Sequence, residues 1–270
     1  MSQAKKMAMI GVGKMGGALL EGILSRKWIA PEAITVCDKM AGRLEELKAA
    51  YGTGIAADNR AALSGADIVI LGVKPQNMRE VLEEIRDALD EKQLVVSIAA
   101  GISTIFIEEV LEKKIRVVRA MPNMPALIGC GATALARGKY ATDGDINVSR
   151  RVFDAVGISV VVTEDLMDAV TGLSGSGPAY GFMMIEALSD AGVLMGLPRE
   201  TARMLASQTM LGAAMLCLQG QQHPAALKDM VTSPGGTTIA GIQVLEEGKF
   251  RATLMAAVEA AALRSRALGK

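Results

Sequence analysis

The sequence predicts an α/β fold in which a doubly wound sheet is followed by an all-helical region. Three observations carry this. From residue 6 to residue 163, short apolar runs alternate with helical segments. The strongest run, Ala66-Asp67-Ile68-Val69-Ile70-Leu71-Gly72-Val73, is continuous rather than alternating, as expected of a parallel strand covered on both faces. From about Glu164 onward there is no convincing strand. The predicted domains are therefore 1–163 and 164–270.

The elements follow in order. Residues 6–12 form the first strand and 14–27 the first helix, which carries Leu19, Leu20, Ile23 and Leu24. Pro31 and Glu32 turn the chain into a strand at 33–37, ending at Asp38. A helix with Leu44 and Leu47 on one face leads to a short strand near Ile55 and then to the apolar strand at 66–73. Met78, Val81, Leu82, Ile85 and Leu89 recur at helical spacing. A strand at 94–98, a helix marked by Ile107, Val110 and Leu111, and a strand at 115–120 come next. Two prolines stiffen the turn Met121-Pro122-Asn123-Met124-Pro125. Strands at 131–137 and 158–163 flank a helix marked by Val152, Phe153 and Val156.

The second half is helical. Residues 165–195 are interrupted by Gly172-Leu173-Ser174-Gly175-Ser176-Gly177-Pro178, where Pro178 suits the first turn of a new helix. Gly196-Leu197-Pro198 breaks that helix. A long helix at 199–218, a short one at 224–230, a punctuating stretch at 232–238 and helices at 239–247 and 251–268 complete the chain. Met204, Leu205, Met210 and Leu211 cannot all face one neighbour. This predicts a helix buried all round at an obligate interface, with a self-contained bundle as the alternative.

Composition narrows the function. Half of the residues are apolar, and 29 basic residues balance 29 acidic ones, so neither a nucleic-acid face nor a polybasic membrane patch is indicated. Arg264, Arg266 and Lys270 read as a solvated helix end. The dispersed Cys37, Cys130 and Cys217 form neither a disulfide framework nor a zinc pattern, and the single histidine makes a histidine-based metal site untenable. No metal is expected. His223, ahead of Pro224, reads as a buried structural residue at a helix start. With no apolar run of 18 residues and no leader pattern, the chain is expected in the cytoplasm.

Chemistry belongs at the carboxyl ends of the strands. Five segments fall there: Gly11–Gly16, Asp38–Lys39, Val73-Lys74-Pro75, Ser97–Gly101 and Met121–Pro125. Gly11, Gly13 and Gly16 follow a strand and open a helix. This pattern fits a Rossmann-type dinucleotide fingerprint, with one glycine for the tight turn, one for the pyrophosphate and one for helix–strand packing; a glycine-rich loop of another α/β protein is the alternative reading. Asp38 stands where NAD sites place a ribose-binding carboxylate. Lys39 and Arg43 instead suit the phosphate of NADPH, and a solvated strand end remains the third reading. No nucleophile with its base stands out. A nicotinamide supplies its own hydride, and a protonated imine needs no strong acid. Ser174, Ser176, Thr237 and Thr238 offer hydroxyls, and the helix starting near Gly235 offers N–H groups to a small carboxylate.

Two longer stretches are more selective. Residues 168–180, Asp-Ala-Val-Thr-Gly-Leu-Ser-Gly-Ser-Gly-Pro-Ala-Tyr, and 223–239, His-Pro-Ala-Ala-Leu-Lys-Asp-Met-Val-Thr-Ser-Pro-Gly-Gly-Thr-Thr-Ile, resemble the pyrroline-5-carboxylate reductases. Val73-Lys-Pro75, Ser97-Ile-Ala-Ala-Gly101 and Arg119-Ala-Met-Pro-Asn-Met-Pro125 match as well, so the resemblance spans essentially the whole chain. It implies reduction of L-1-pyrroline-5-carboxylate to L-proline by NADPH or NADH, the last step of proline synthesis. It also implies a helical domain interlocked into a homodimer, with dimers assembling into a decamer and the pocket completed across the dimer.

By the same resemblance Gly11, Gly13, Lys14, Met15 and Gly16 hold the pyrophosphate, and Asn59 contacts the cofactor ribose. Val73, Lys74, Pro75, Ala99, Ala100 and Gly101 line the nicotinamide side, and Asn123 joins the cofactor-binding set with Asp38 and Lys39. Ser174, Ser233, Gly235, Gly236 and Thr237 form the substrate loop set, and Thr238 places its hydroxyl near the ring nitrogen as the catalytic residue.

The chain departs from the family pattern twice. Met124 stands where a threonine is usual and cannot donate a hydrogen bond. Asp38-Lys39 replaces a serine or asparagine followed by arginine, and its carboxylate repels a 2′-phosphate. Three alternatives remain: a reductase for another cyclic imino acid, since one methylene is worth only about 1–3 kcal/mol; a 3-hydroxy-acid dehydrogenase, disfavoured because residues 174–188 contain no lysine; and a non-catalytic NAD(P)-binding protein.

Overall fold

The computed structural model describes residues 5–220 and 222–268. In the first half, β1 (Met7–Ile10), α1 (Lys14–Ser25), β2 (Ile34–Cys37), α2 (Ala41–Tyr51), β3 (Gly54–Ile55), α3 (Asn59–Ala62), β4 (Ile68–Leu71), α4 (Met78–Ile85), β5 (Leu94–Ser97), α5 (Thr104–Leu111), β6 (Arg116–Met121), β7 (Gly131–Arg137), α6 (Asp143–Phe153) and β8 (Gly157–Val162) follow one another. The strands form one sheet in the order β3-β2-β1-β4-β5-β6-β7-β8. The order reverses between β1 and β4, which opens a crevice beyond their carboxyl ends.

Alternation along each strand feeds two apolar layers. Met7, Met9, Ile34, Val36, Ile68 and Ile70 pack against Leu19, Leu20 and Ile23 of α1, Leu44 and Leu47 of α2, and Val152 and Phe153 of α6. Ala8, Ile10, Val69 and Leu71 face Met78, Val81, Leu82 and Ile85 of α4 and Ile107 of α5. Both faces are covered, which is why these strands read as unbroken apolar runs.

The sheet is not wholly parallel. β7 pairs antiparallel with β6, while the other pairs are parallel. The link between them holds only a 3-10 turn at Met124–Ile128, too short for the crossover that a parallel pair requires. α3 is an element the sequence pattern did not announce. It is one turn long, and Asp58 caps it by accepting the Ala61 N–H at 2.7 Å.

After β8 come a 3-10 turn at Glu164–Leu166, α7 (Met167–Val170) and a π-helical turn at Thr171–Gly175. The expected Gly172–Pro178 interruption is therefore largely wound chain. Thr171 and Ser174 donate their hydroxyls to the carbonyls of Met167 and Val170, four residues back, at 2.9 and 3.1 Å. These bonds satisfy carbonyls at the point where the winding widens. α8 (Gly177–Leu194), α9 (Arg199–Gln219), α10 (Pro224–Met230), α11 (Thr237–Glu247) and α12 (Phe250–Leu268) follow.

By packing, the chain divides into two compact units, one running to Ser176 and including the residues from Ala260 onward, the other Gly177–Glu259. In the first unit Ser265 Oγ donates to Asp168 Oδ1 at 2.7 Å. Arg264 and Arg266 are exposed, as expected of a helix end, and Lys270 lies outside the described residues. In the second unit α8 packs on α9. A Cβ at Gly192 would lie 2.9 Å from that of Ala202, so glycine sets their approach. Ala202 and Ala206 are buried there, but Met204, Leu205, Leu211 and Met215 are 44–67% exposed. Within one chain these apolar faces are therefore uncovered rather than buried all round. His223 also differs from expectation. It is exposed, and its Nδ1 accepts the Ala225 N–H at 3.2 Å as the cap of α10. A capping ring at a helix start points outward rather than into a core.

Candidate functional site

The glycine turn is built by close backbone approach. Gly11 has φ +87°, and its N–H donates to the Cys37 carbonyl at 2.8 Å. A Cβ at Gly11 would stand 2.7 Å from the Val73 nitrogen, and one at Gly16 would stand 2.5 Å from the Gly11 oxygen. These two glycines let the turn pass β4 and seat α1. Gly13 is different: a Cβ there would meet nothing within 4 Å. It is also the N-cap of α1 and supplies no side-chain acceptor to the N–H groups of the first turn, Lys14, Met15 and Gly16. Open space over Gly13 and uncapped N–H groups beside it suit a pyrophosphate.

Asp38 closes the turn from β2. Its Oδ2 accepts the Val12 N–H at 2.8 Å, and its Oδ1 accepts the Met40 N–H at 3.0 Å. Lys39 is exposed, with Nζ 3.8 Å from Glu80 Oε1. Arg43 Nη1 lies 3.1 Å from Glu46 Oε2. Asn59, the first residue of α3, donates from Nδ2 to Glu84 Oε2 at 2.7 Å. Burial pushes the Cys37 thiol up, and the carboxylates of Glu84, Asp58 and Asp38 add to the rise. Glu80 and Glu84 had no place in the sequence reading. Their spacing puts both on one face of α4, but their partners are remote in sequence.

The nicotinamide-side segments lie at the ends of β4 and β5. Val73 is half-buried, Lys74 is exposed, and Pro75 opens a 3-10 turn. Ala99 is buried and donates its N–H to Ser97 Oγ at 3.3 Å. Ala100 is exposed, and Gly101 turns with φ +75°. Asn123 has both ends of its amide engaged: Nδ2 donates to the Ser174 carbonyl at 3.0 Å, and Oδ1 accepts the Ala132 N–H at 2.8 Å. It thereby ties the β6–β7 link to the π-helical turn. Met124 beside it is 51% exposed.

The second unit carries the other residues of the predicted set. Gly235 has φ +66°, and a Cβ at Gly236 would collide with Ser233 Oγ. Gly236 is the N-cap of α11 and supplies no side-chain acceptor, so the N–H groups of Thr237 and Thr238 meet no side-chain cap. Ser233 and Thr237 are exposed and Thr238 is half-buried. Such a helix start takes a small carboxylate. The structure thus gathers Gly11–Gly16, Asp38, Lys39, Asn59, Val73–Pro75, Ala99–Gly101, Asn123 and Ser174 in the first unit. Ser233 and Gly235–Thr238 are gathered in the second.

Residues 164–268 match the family model described as pyrroline-5-carboxylate reductase dimerisation. Residues 6–101 match that of NADP oxidoreductase, coenzyme F420-dependent. A pyrroline-5-carboxylate reductase of Methanosarcina acetivorans is 47% identical over 98% of both chains. The solved pyrroline-5-carboxylate reductase of Coxiella burnetii is 39% identical, with a TM-score of 0.95 over 99% of this chain and 100% of the other. That of Plasmodium falciparum, solved with NADP bound, is 33% identical, with a TM-score of 0.86 over 98% of each chain.

Proposed function

This chain belongs to the pyrroline-5-carboxylate reductase family, and we propose on that footing that it reduces L-1-pyrroline-5-carboxylate to L-proline with NAD(P)H. The observation that carries the reading within the chain is its pair of glycine-capped helix starts. Gly13 opens onto space suited to a diphosphate, and Gly236 opens onto N–H groups suited to a carboxylate.

The reduced nicotinamide supplies the hydride that C5 of the ring imine receives. The chain's own groups bind and orient. Gly11–Gly16 hold the pyrophosphate, while Val73–Pro75, Ala99–Gly101 and Asn123 shape the nicotinamide side. Ser233, Gly235, Gly236 and Thr237 hold the substrate carboxylate. Thr238 steadies the ring nitrogen, whose N–H donates a hydrogen bond to the threonine hydroxyl oxygen. The imine arrives protonated, so positioning and exclusion of water do the work rather than a strong acid.

The finer cofactor reading is NADH over NADPH. Asp38 is held at the end of β2 by two backbone N–H groups, and Lys39 already faces a carboxylate. A 2′-phosphate is repelled there, whereas a ribose hydroxyl is accepted. The chain forms a homodimer through its helical region, whose uncovered Met204, Leu205, Leu211 and Met215 call for a partner surface. Assembly of dimers into a decamer is part of the same proposal, tested by mass in solution. So is residence in the cytoplasm, which suits three free thiols and is tested by fractionation.

The decisive assay follows NADH and NADPH oxidation with the five-membered imine, with its six-membered homologue, and with a 3-hydroxy acid in the reverse direction. Oxidation with the five-membered imine supports the proposal. Turnover of the hydroxy acid alone, or tight cofactor binding with no turnover, overturns it.

A further inference from the structure

One face of α4 (Met78–Ile85) turns carboxylates toward Lys39 and Asn59. Glu80 and Glu84 lie one helical turn apart on that face. Glu84 Oε2 accepts the Asn59 Nδ2 proton at 2.7 Å, and Glu80 Oε1 stands 3.8 Å from Lys39 Nζ. Asn59, which the resemblance assigns to the cofactor ribose, is thus turned toward one anion, and Lys39 is opposed by another. Arg43, the other cation considered for a phosphate, has its guanidinium beside Glu46. The buried Cys37 thiol at the end of β2 senses the same field, with Glu84 ahead of Asp58 and Asp38 among the carboxylates that raise it.

Resting on the assignment of Asp38 and Asn59 to the cofactor ribose, we propose that Glu84, supported by Glu80, is a specificity-determining residue that disfavours a 2′-phosphorylated cofactor. A phosphate monoester brings a charge of about −1.5 to −2 against a ribose hydroxyl's zero. Glu84 therefore acts on NADPH by charge while leaving NADH nearly untouched. It also presents Asn59 with its Oδ1 free to accept from a ribose hydroxyl, an atom that a phosphate, mostly deprotonated at neutral pH, does not use well.

The test is equilibrium binding of NADH and NADPH, read by nicotinamide fluorescence, and of NAD+ and NADP+, read by calorimetry. The proteins are the full-length wild type, E84Q, E80Q, E83Q and D38S. Glutamine keeps an acceptor for Asn59 and removes only the charge. E84Q is expected to tighten NADPH by roughly fivefold, the scale of one exposed charge pair, with NADH changed by less than about twofold. At molar salt, where the screening length is about 3 Å, that gain should vanish. E80Q should act in the same direction and less strongly. Glu83, 3.8 Å from Arg79, is the control, and E83Q should leave the ratio where it was. An unchanged ratio in E84Q, equal tightening of both cofactors, or an equal shift in E83Q overturns the role of Glu84. The underlying NADH reading fails separately, if the wild type binds NADPH as tightly as NADH and D38S leaves that ratio unmoved.

Discussion

Asp38 Oδ2 accepts the backbone N–H of Val12 at 2.8 Å, so the carboxylate proposed to meet the cofactor ribose also braces the glycine turn. The two duties separate by substitution. Asp38→Asn retains an oxygen acceptor for Val12 and loses the charge, while Asp38→Ser shortens the reach as well. Both should raise the NADPH-to-NADH ratio of kcat/KM, by about tenfold for loss of roughly 1.4 kcal/mol of repulsion. Both should also lower the melting temperature, the serine variant more, because asparagine keeps one of the two oxygens that accept the Val12 and Met40 N–H groups and serine cannot reach both. Steady-state kinetics with each cofactor and a thermal melt check this, and a ratio unchanged in both variants would show that Asp38 does not face the ribose.

The glycines of the turn divide into structural and functional ones. Gly11→Ala places a Cβ 2.7 Å from backbone at φ +87°, a strain of about 1–3 kcal/mol before the clash is counted, and should yield a destabilised protein. Gly13→Ala meets no neighbour and should melt within a degree or two of wild type. It should nonetheless bind cofactor at least about tenfold more weakly, because the methyl fills the pyrophosphate space. Melting curves with and without cofactor discriminate. Equal cofactor stabilisation of G13A and wild type would remove the pyrophosphate from this turn.

Arg119 Nη1 donates to Glu164 Oε1 at 2.7 Å, and Arg119 is 5% exposed. Glu164 Oε2 also accepts from Thr104 Oγ1 at 3.3 Å. Removing the carboxylate leaves a buried guanidinium without its counter-charge. Glu164→Ala should cost about 3–5 kcal/mol, and the double change Arg119→Met with Glu164→Leu should recover most of it. Urea unfolding of the three proteins measures both values. A loss below 1 kcal/mol in E164A would mean that the pair contributes little.

Burial holds the Glu108 carboxyl above the usual carboxylate range, and the charge of Glu164 adds to this, although the N–H groups of Lys139 and Tyr140 pull the other way. The folded state therefore binds this proton more tightly than the unfolded chain does. The corresponding stability is complete below about pH 4, the unfolded value, and is lost as pH rises through the raised folded value. Glu108→Gln has no such loss. Its melting temperature should gain on that of wild type between pH 4 and pH 7, and parallel curves would contradict the account.

Much of the first unit was legible because burial imposes periodicity. The runs at 66–73 and 94–98 and the spacing of Met78, Val81, Leu82 and Ile85 marked strands and a helix that are there. α3 was not legible, since four residues cannot show a period. The direction of β7 depends on the shortness of the 122–130 link rather than on any residue within the strand. Glycine and serine in the stretch 172–178 read as an interruption, and the side-chain bonds of Thr171 and Ser174 that close the π-helical turn have no composition signature. At the site, glycine spacing is local and was readable. Asp38 to Val12 and Asn59 to Glu84 join positions 26 and 25 residues apart, and only the folded chain brings them together.

The central claim is hydride delivery from the nicotinamide to C5 of the imine. It is tested most directly with NAD(P)H carrying deuterium at both C4 positions and pyrroline-5-carboxylate as acceptor, with the proline examined by mass spectrometry and NMR. The account predicts L-proline carrying one deuterium at C5 for each cofactor oxidised. Cofactor oxidation without labelled proline, or no oxidation with either cofactor, would contradict it.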